Sequence, residues 1–474
     1  MRPGVVLPRS PAAAARPRRD RGDLVVLGVE AALLAAAVVV GAVLNHRGVG
    51  LHADAAPLYA TWWPHLGWGT PAAIVVALLV LGPGLRWAGT ARWGALLGAG
   101  WLAAVAWTLA LALVDGWSRG LTRRLTAQAE YLHEVPGVVD VRATLAGFTD
   151  RILDFRPDSW STHTAGHPPG ALLIFVGLDR VGLGGATAAA LACVLIGATV
   201  TVSVPVALRA LGAAAAARAV LPFLVLLPGA VWVGASGDGI FAAVVAAGLA
   251  LLAVRGPWVA LAGGLLLGFA LYLSYGFVLV APLALAVLAL RPARRPAALL
   301  AATAAVAAVV AAFTLAGFHW WAGYDRVVVR YYQGWAADRP YGYWVWANLA
   351  ALLLAAGPVA GPALRRAVAA GRARWRAAGR PASGGAADRA RRWPAAGRVG
   401  ALGPTVLLPA AAALAVVAAD LSGMSKAEVE RIWLPFVVWL LVAAAHLPGP
   451  ARRWWLLGQA LTALAVNHLL LTVS

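Results

Sequence analysis

The chain has 474 residues, is 61% hydrophobic and only 12% charged, and carries a formal charge of +20. Soluble domains average about 25% charged residues, and here apolar runs of about 18 residues or more recur throughout, which excludes a soluble nucleic-acid binder despite the basic charge. No segment alternates apolar and polar residues as outer-membrane barrel strands do, so the fold expected is all-α and polytopic, with about 12–14 transmembrane helices.

Residues 1–22 are rich in Pro, Arg and Ala and are expected to form a disordered cytoplasmic N-terminus. The apolar run from about 24 to 44 is longer than a signal-peptide core, so it reads as a retained first span behind a basic, cytoplasmic leader. Residues 45–70 form an outer loop with His46, His52, Asp54 and His65, and its tryptophans read as an interfacial belt. A second span at about 71–85 precedes Arg86 and Arg92, so residues 23–92 are two accessory spans. The span at about 93–114 delivers Asp115 to the outer surface.

Residues 115–170 are the longest polar segment between apolar runs. They hold seven of the 19 acidic residues, together with His133, His163 and His167. Residues 169–183 are apolar but would span only about 22 Å at 1.5 Å per residue, against a hydrocarbon core near 30 Å. Apolar runs then alternate with arginine-bearing turns up to an aromatic-rich outer loop at 319–342 and a span at 343–362. The segment 363–399 reads as a basic cytoplasmic loop, because residues 365–398 hold ten arginines and one acid, Asp388. Three further spans fill 400–474. Counting spans from either side of this loop agrees only if 169–183 dips in and returns, lies at the interface, or joins the next run as a broken helix. Lys426 is the only lysine, and with the heavy alanine use this suggests GC-rich bacterial coding, hence a bacterial cytoplasmic membrane. Cys193 stands alone and allows no intramolecular disulfide.

Acids at span ends are costly unless they face a cavity or a partner. Asp115 reads either as a solvated span end or as a general base for a hydroxyl, with Asp54, Asp150 and Asp154 as rivals. His163 and His167 have a spacing that would let a helix ligate a divalent metal. Gly166, Pro168 and Pro169 argue against a regular helix, so the pair is expected to shape the loop and to hydrogen-bond an anionic group. Asp238 fits a helix cap or a substrate contact equally. Arg326, Arg330, Arg339 and Tyr341 lie on the outer side against the usual charge bias; guanidinium pairs bidentately with phosphate, and the neighbouring aromatics suit an isoprenoid tail or a sugar face. Arg431 at a helix start opposes the macrodipole and is expected to face Glu428 or a bound phosphate.

Asp115 at a span end, Tyr131 in the long loop, His167-Pro168-Pro169 at its close, Asp238, and Glu428 with Arg431 ahead of Pro435 together resemble the GT-C superfamily of lipid-phosphosugar-dependent glycosyltransferases. The resemblance is to its aminoarabinose-transferase and protein-O-mannosyltransferase-like branch, and it covers roughly residues 93–440. Residues 93–362 would then be the GT-C-like core. The chain departs from the pattern in three places: Gly116 follows Asp115 where a second acid is usual, two spans precede the core, and His167 stands where lysine is common. The large soluble C-terminal domain of some members is also missing.

The resemblance implies an inverting transferase that takes a sugar from a polyprenyl-phosphate carrier and passes it to an extracytoplasmic glycan, lipid or protein. Asp115 would be its base. Tyr131, His163, His167, Asp238, Tyr341 and Glu428 would contact substrate, and Arg326, Arg330, Arg339 and Arg431 would hold phosphate. No cofactor is implied with certainty, and a divalent metal stays open. The competing reading is a non-catalytic transporter or lipid flippase, which would place charged residues deep within the spans. Glu30, Asp179 and Arg180 are among the few so placed.

Overall fold

The computed structural model describes residues 21–234, 236–291, 295–379 and 395–472. The expected disordered leader and the middle of the basic loop lie almost wholly outside these. The protein is 76% helical, and the one sheet among the described residues is a two-stranded ribbon pairing Ala60–Trp62 with Leu470–Thr472, so the all-α expectation holds. Among the described residues six helices are long and apolar enough to cross a membrane: Arg21–His46, Gly69–Thr90, Trp93–Ala112, Ala186–Ala210, Arg295–Leu315 and Pro404–Leu421. Their length and apolar character point to a membrane protein.

The expected 12–14 full spans are not reached. Counting the pair Tyr341–Ala356 and Ala360–Gly379, which bends by 95°, as one span brings the total to seven. The other apolar runs fold as helices of 10–17 residues, such as Ala214–Val225, Asp238–Ala253 and Leu434–His446. The expected single span at 343–362 is in fact the bent pair, and the basic segment starts as a helix rather than a loop.

Broken helices free backbone groups that hydrocarbon cannot satisfy, so they persist only where neighbours re-pair them. Here the breaks brace one another. After Val225 the chain leaves the helix at Leu226–Pro228; the Trp107 indole N–H donates to Leu227 O at 3.2 Å, and Gly229 N–H donates to Ala355 O at 2.8 Å. At the bend, Gly357 takes φ +85°, Gln459 Nε2 donates to Ala356 O at 2.9 Å, and Gly361 N–H donates to Glu30 Oε1 at 2.7 Å. The buried polar residues Glu30 and Gln459 are thus spent on the discontinuities.

The helices run between two ends of opposite character. At one end arginines serve backbone and acids: Arg218 bonds Ala88 O, Arg209 lies over the Trp93 ring, Arg291 reaches Leu252 O, and Asp23 joins Arg365 and Arg366. At the other end the long polar segments meet. His52 contacts Asp338, His65 contacts Asp115, Arg330 contacts Asp154, and Lys426 N–H donates to the Tyr331 hydroxyl. Helix Gly170–Arg180 has only 11 residues. Its start packs beside Tyr272 backbone, and Arg180 at its end donates to Val138 O and Val139 O at 3.2 and 2.9 Å. Both termini stay with the polar segments, and its Ala171, Leu172, Phe175 and Val176 face inward. This fits a run lying at the interface, one of the three possibilities for it.

Small residues let the helices Asp238–Ala253, Pro257–Ala270 and Arg295–Leu315 approach closely. Gly248 faces Gly263, and Gly264 sits on the Ala302 backbone, with no room for a Cβ. Close packing of this kind drives association where lipid removes the hydrophobic difference between helix faces.

Candidate functional site

The polar end holds two charged clusters. The larger is built on Arg431, in the short helix Val429–Ile432. Its Nη1 donates to Asp238 Oδ2 at 2.8 Å, and its Nη2 donates to Glu428 Oε2 at 2.6 Å and to His163 Nε2 at 3.0 Å. Its Nε is buried without a hydrogen-bond partner among the described residues. Because Nε2 of His163 accepts from a guanidinium, the His163 proton sits on Nδ1. That nitrogen lies 2.8 Å from Glu130 Oε1, at an angle too oblique for a regular hydrogen bond. Two distant segments, through Asp238 and His163, and the neighbouring Glu428 therefore converge on one guanidinium, with Glu130 behind His163. Burial alone would weaken the Arg431 charge, but Asp238, Glu428 and Glu130 outweigh it and raise its pKa.

Local backbone explains how Glu428 reaches this centre. Ala427 and Glu428 have φ of +70° and +63°. Two consecutive non-glycine residues in the left-handed region are costly, and such strain gathers at functional sites. Burial opposes the charge on Glu428, yet the Arg431 and Arg339 guanidinium groups and His163 hold its carboxyl down at about 2. Asp238 opens helix Asp238–Ala253 but makes no capping bond; its partner is Arg431.

Around this centre lie Tyr131 and His167. The Tyr131 hydroxyl and His167 Nδ1 are 2.9 Å apart, and His167 Nδ1 also donates to His163 O at 2.9 Å. The Tyr131 ring stacks on Phe175 from the surface helix. Burial pushes His167 down to about 4 and lifts the Tyr131 phenol well above its usual range, so both are neutral near pH 7. His163 and His167 do not share a helix face: the one-turn helix Thr162–Gly166 ends before His167, which is extended. Among the described residues no three His, Cys, Asp or Glu side chains form a metal-holding group, and the histidine spacing is spent on these hydrogen bonds.

The arginines divide. Arg339 is buried and donates to Leu51 O, His52 O and Lys426 O, with Glu428 Oε1 at 3.5 Å; it clamps two backbone segments together rather than presenting free donors. Arg330 is paired with Asp154 Oδ1 at 2.6 Å. Arg326, half-buried, has no hydrogen bond or ion pair among the described residues. The Tyr341 hydroxyl bonds Leu421 O, away from the centre.

The second cluster contains Asp115. Its Oδ1 lies 2.8 Å from His65 Nε2, and its Oδ2 lies 3.4 Å from Arg124 Nη2. His65 Nδ1 meets Trp63 O at 2.6 Å. His65 is thus held between Asp115 and the backbone carbonyl of Trp63. The ribbon joins the clusters: Tyr59 N–H donates to Glu430 Oε1, Ala60 pairs with Thr472, and Thr472 accepts from Arg124.

Sequence reasoning did not single out His65, Arg124 or Glu430. Glu430 is fully buried with Oε2 unpartnered, and burial pushes its carboxyl up to about 7. Its place between Glu428 and Arg431 was the available signal. No family model matches the chain, and neither curated proteins nor solved structures give a match.

Proposed function

We propose that this protein is a glycosyltransferase of the bacterial cytoplasmic membrane, moving a sugar from a polyprenyl-phosphate carrier to an extracytoplasmic acceptor. The observation that carries the reading is the convergence on Arg431. A buried guanidinium pinned by Asp238 and Glu428, with His163 beside it and Nε unspent, offers a donor to a phosphate oxygen and several acceptors to sugar hydroxyls. The arginine-rich end would face the cytoplasm, which puts the clusters outside. The GT-C resemblance supplies the reaction class.

In this reading Asp115 takes the acceptor hydroxyl proton as the oxygen attacks the anomeric carbon, and the carrier phosphate leaves with the electrons of the broken C–O bond. His65 orients Asp115. Among the arginines, Arg431 and Arg326 are the phosphate contacts, since Arg330 and Arg339 are committed elsewhere. A transporter would need mobile charges in its spans. The use of Glu30 and Gln459 to mend broken helices supports a fixed scaffold instead.

The test is transfer from polyprenyl-phosphate sugars in membranes holding matched amounts of wild type, Asp115→Asn and Arg431→Gln. Transfer by wild type alone supports the reading. Transfer by Asp115→Asn moves the base to Asp54, Asp150 or Asp238. No transfer by wild type with any donor, alongside lipid movement across the bilayer, overturns it in favour of a flippase.

A further inference from the structure

A cleft of about 330 Å³ opens at the polar end, lined by His52, Asp54, Tyr59, Thr61 and Trp335 with the small residues Ala53 and Ala60. Small-molecule pockets run from about 300 to 1,000 Å³, so this one has room for a single ring. Tyr59 and Trp335 meet at 61° with centroids 6.0 Å apart and form an aromatic corner. Trp335 is 53% exposed, yet its position is fixed: His52 stacks on it at 5.2 Å and 7°, and His52 is itself tied to Asp338. The carboxylate of Asp54 has no partner among the described residues; its backbone carbonyl accepts from Asn45. Thr61 adds a hydroxyl.

An aromatic corner facing a free carboxylate and a hydroxyl is complementary to a molecule with one apolar C–H face and a rim of hydroxyls. A tryptophan serving only as a membrane anchor has no need of an unpaired acid opposite it. The cleft also shares a wall with the Arg431 centre. The backbone of Tyr59 holds Glu430, and its ring lies 5.6 Å from the Arg339 guanidinium, which in turn reaches Glu428. A ring seated here is thus one residue removed from the charged network.

We propose that this cleft is a binding subsite for one pyranose or furanose ring, with the C–H face against Tyr59 and Trp335 and the hydroxyls on Asp54 and Thr61. The proposal names a substrate subsite for the transferase reading and rests on it.

The test uses the purified full chain in a detergent without a sugar headgroup. Saturation-transfer NMR is recorded with methyl hexosides and methyl pentosides at millimolar concentration, for wild type, Asp54→Asn and Trp335→Ala. Asp54 is exposed and unpaired, so Asp54→Asn keeps the fold and guards against misfolding of Trp335→Ala. The expected result is saturation of ring protons in wild type, with affinity about tenfold weaker in Asp54→Asn and lost in Trp335→Ala, because a site built to hydrogen-bond hydroxyls loses discrimination when an acceptor goes. No saturation in wild type, or equal affinity in all three proteins, overturns the proposal. The transfer assay separates the two readings. Transfer with unchanged KM in both variants sinks the cleft and keeps the transferase. Sugar binding that both variants weaken, with no transfer by wild type, keeps the cleft and sinks the transferase.

Discussion

Replacing Arg431 by methionine keeps most of the side-chain volume and removes the charge on which the polar end converges. Arg431 is 6% exposed and touches Asp238 and Glu428 at 2.8 and 2.6 Å. With charge centres about 4 Å apart and an effective dielectric of about 20, each pair attracts by about 4 kcal/mol. Desolvation cancels several kcal/mol per ion, but breaking a buried pair from one side costs about 3–5 kcal/mol, because the other charge stays buried. Asp238 has no second ion-pair partner among the described residues, and Glu428 keeps only Arg339 at 3.5 Å. Arg431→Met is therefore expected to lower stability by about 3–5 kcal/mol near pH 8, and by less near pH 5, where orphaned carboxylates take up protons. Adding Asp238→Asn should recover at least about 1 kcal/mol, a coupling within the range seen for residues in one network. The assay is thermal unfolding of the four proteins of the cycle in detergent, followed by tryptophan fluorescence. An unchanged midpoint for Arg431→Met, or strictly additive single variants, would refute the view that Arg431 organises the site.

The two glutamates just before this arginine predict opposite pH effects. Glu428 has its folded pKa depressed from 4.5 to about 2, so its contribution is present above about pH 4.5 and is lost as pH falls toward 2. Glu430 is raised from 4.5 to about 7, so its contribution is present below about pH 4.5 and is lost as pH rises through 7. Glu430→Gln should then flatten the alkaline side of the stability profile, and an unaltered profile in a pH series of melts would contradict this. Gly264→Val should destabilise strongly, because its Cβ would enter the Ala302 backbone, whereas Gly28→Val, in open space, should be nearly neutral in the same melts. In a Cys193→Ser background, cysteines at Val139, Val181 and Trp68 should react with an impermeant maleimide from one side of the membrane and a cysteine at Gly212 from the other. Labelling of Val181 and Gly212 from the same side would falsify the surface placement of helix Gly170–Arg180.

The helical, membrane-embedded character could be read directly from composition, because lipid exposure forces long apolar runs. Which polar segments belong together was also legible, through arginine bias. The lengths of the spans were not: hydropathy sees Leu227 and Ala356 as good membrane residues, but not that their carbonyls fall at helix breaks and are re-paired by Trp107 and Gln459. Glu30 looked like a pathway charge for the same reason. At the site, the residue types of Arg431, Asp238, Glu428, Tyr131, His163 and His167 were selected from sequence, and the structure gathers them. Asp115 stands in a neighbouring cluster whose other members, His65 and Arg124, come from pairings that no local pattern encodes.

The pairing of Ala60–Trp62 with Leu470–Thr472 sets an order on biogenesis. The nearby bond between Thr70 and His468 spans 398 residues, and at about 5–20 residues per second a ribosome needs about 20–80 s to cover that distance. During that interval Arg124 has no Thr472, and the strand next to Tyr59 has no partner edge. The clusters cannot be complete while the middle helices are inserting. A protein assembled this way completes the Asp115 cluster only after residues 470–472 have been made, so a chain stalled before them would hold its middle helices but lack the paired edge.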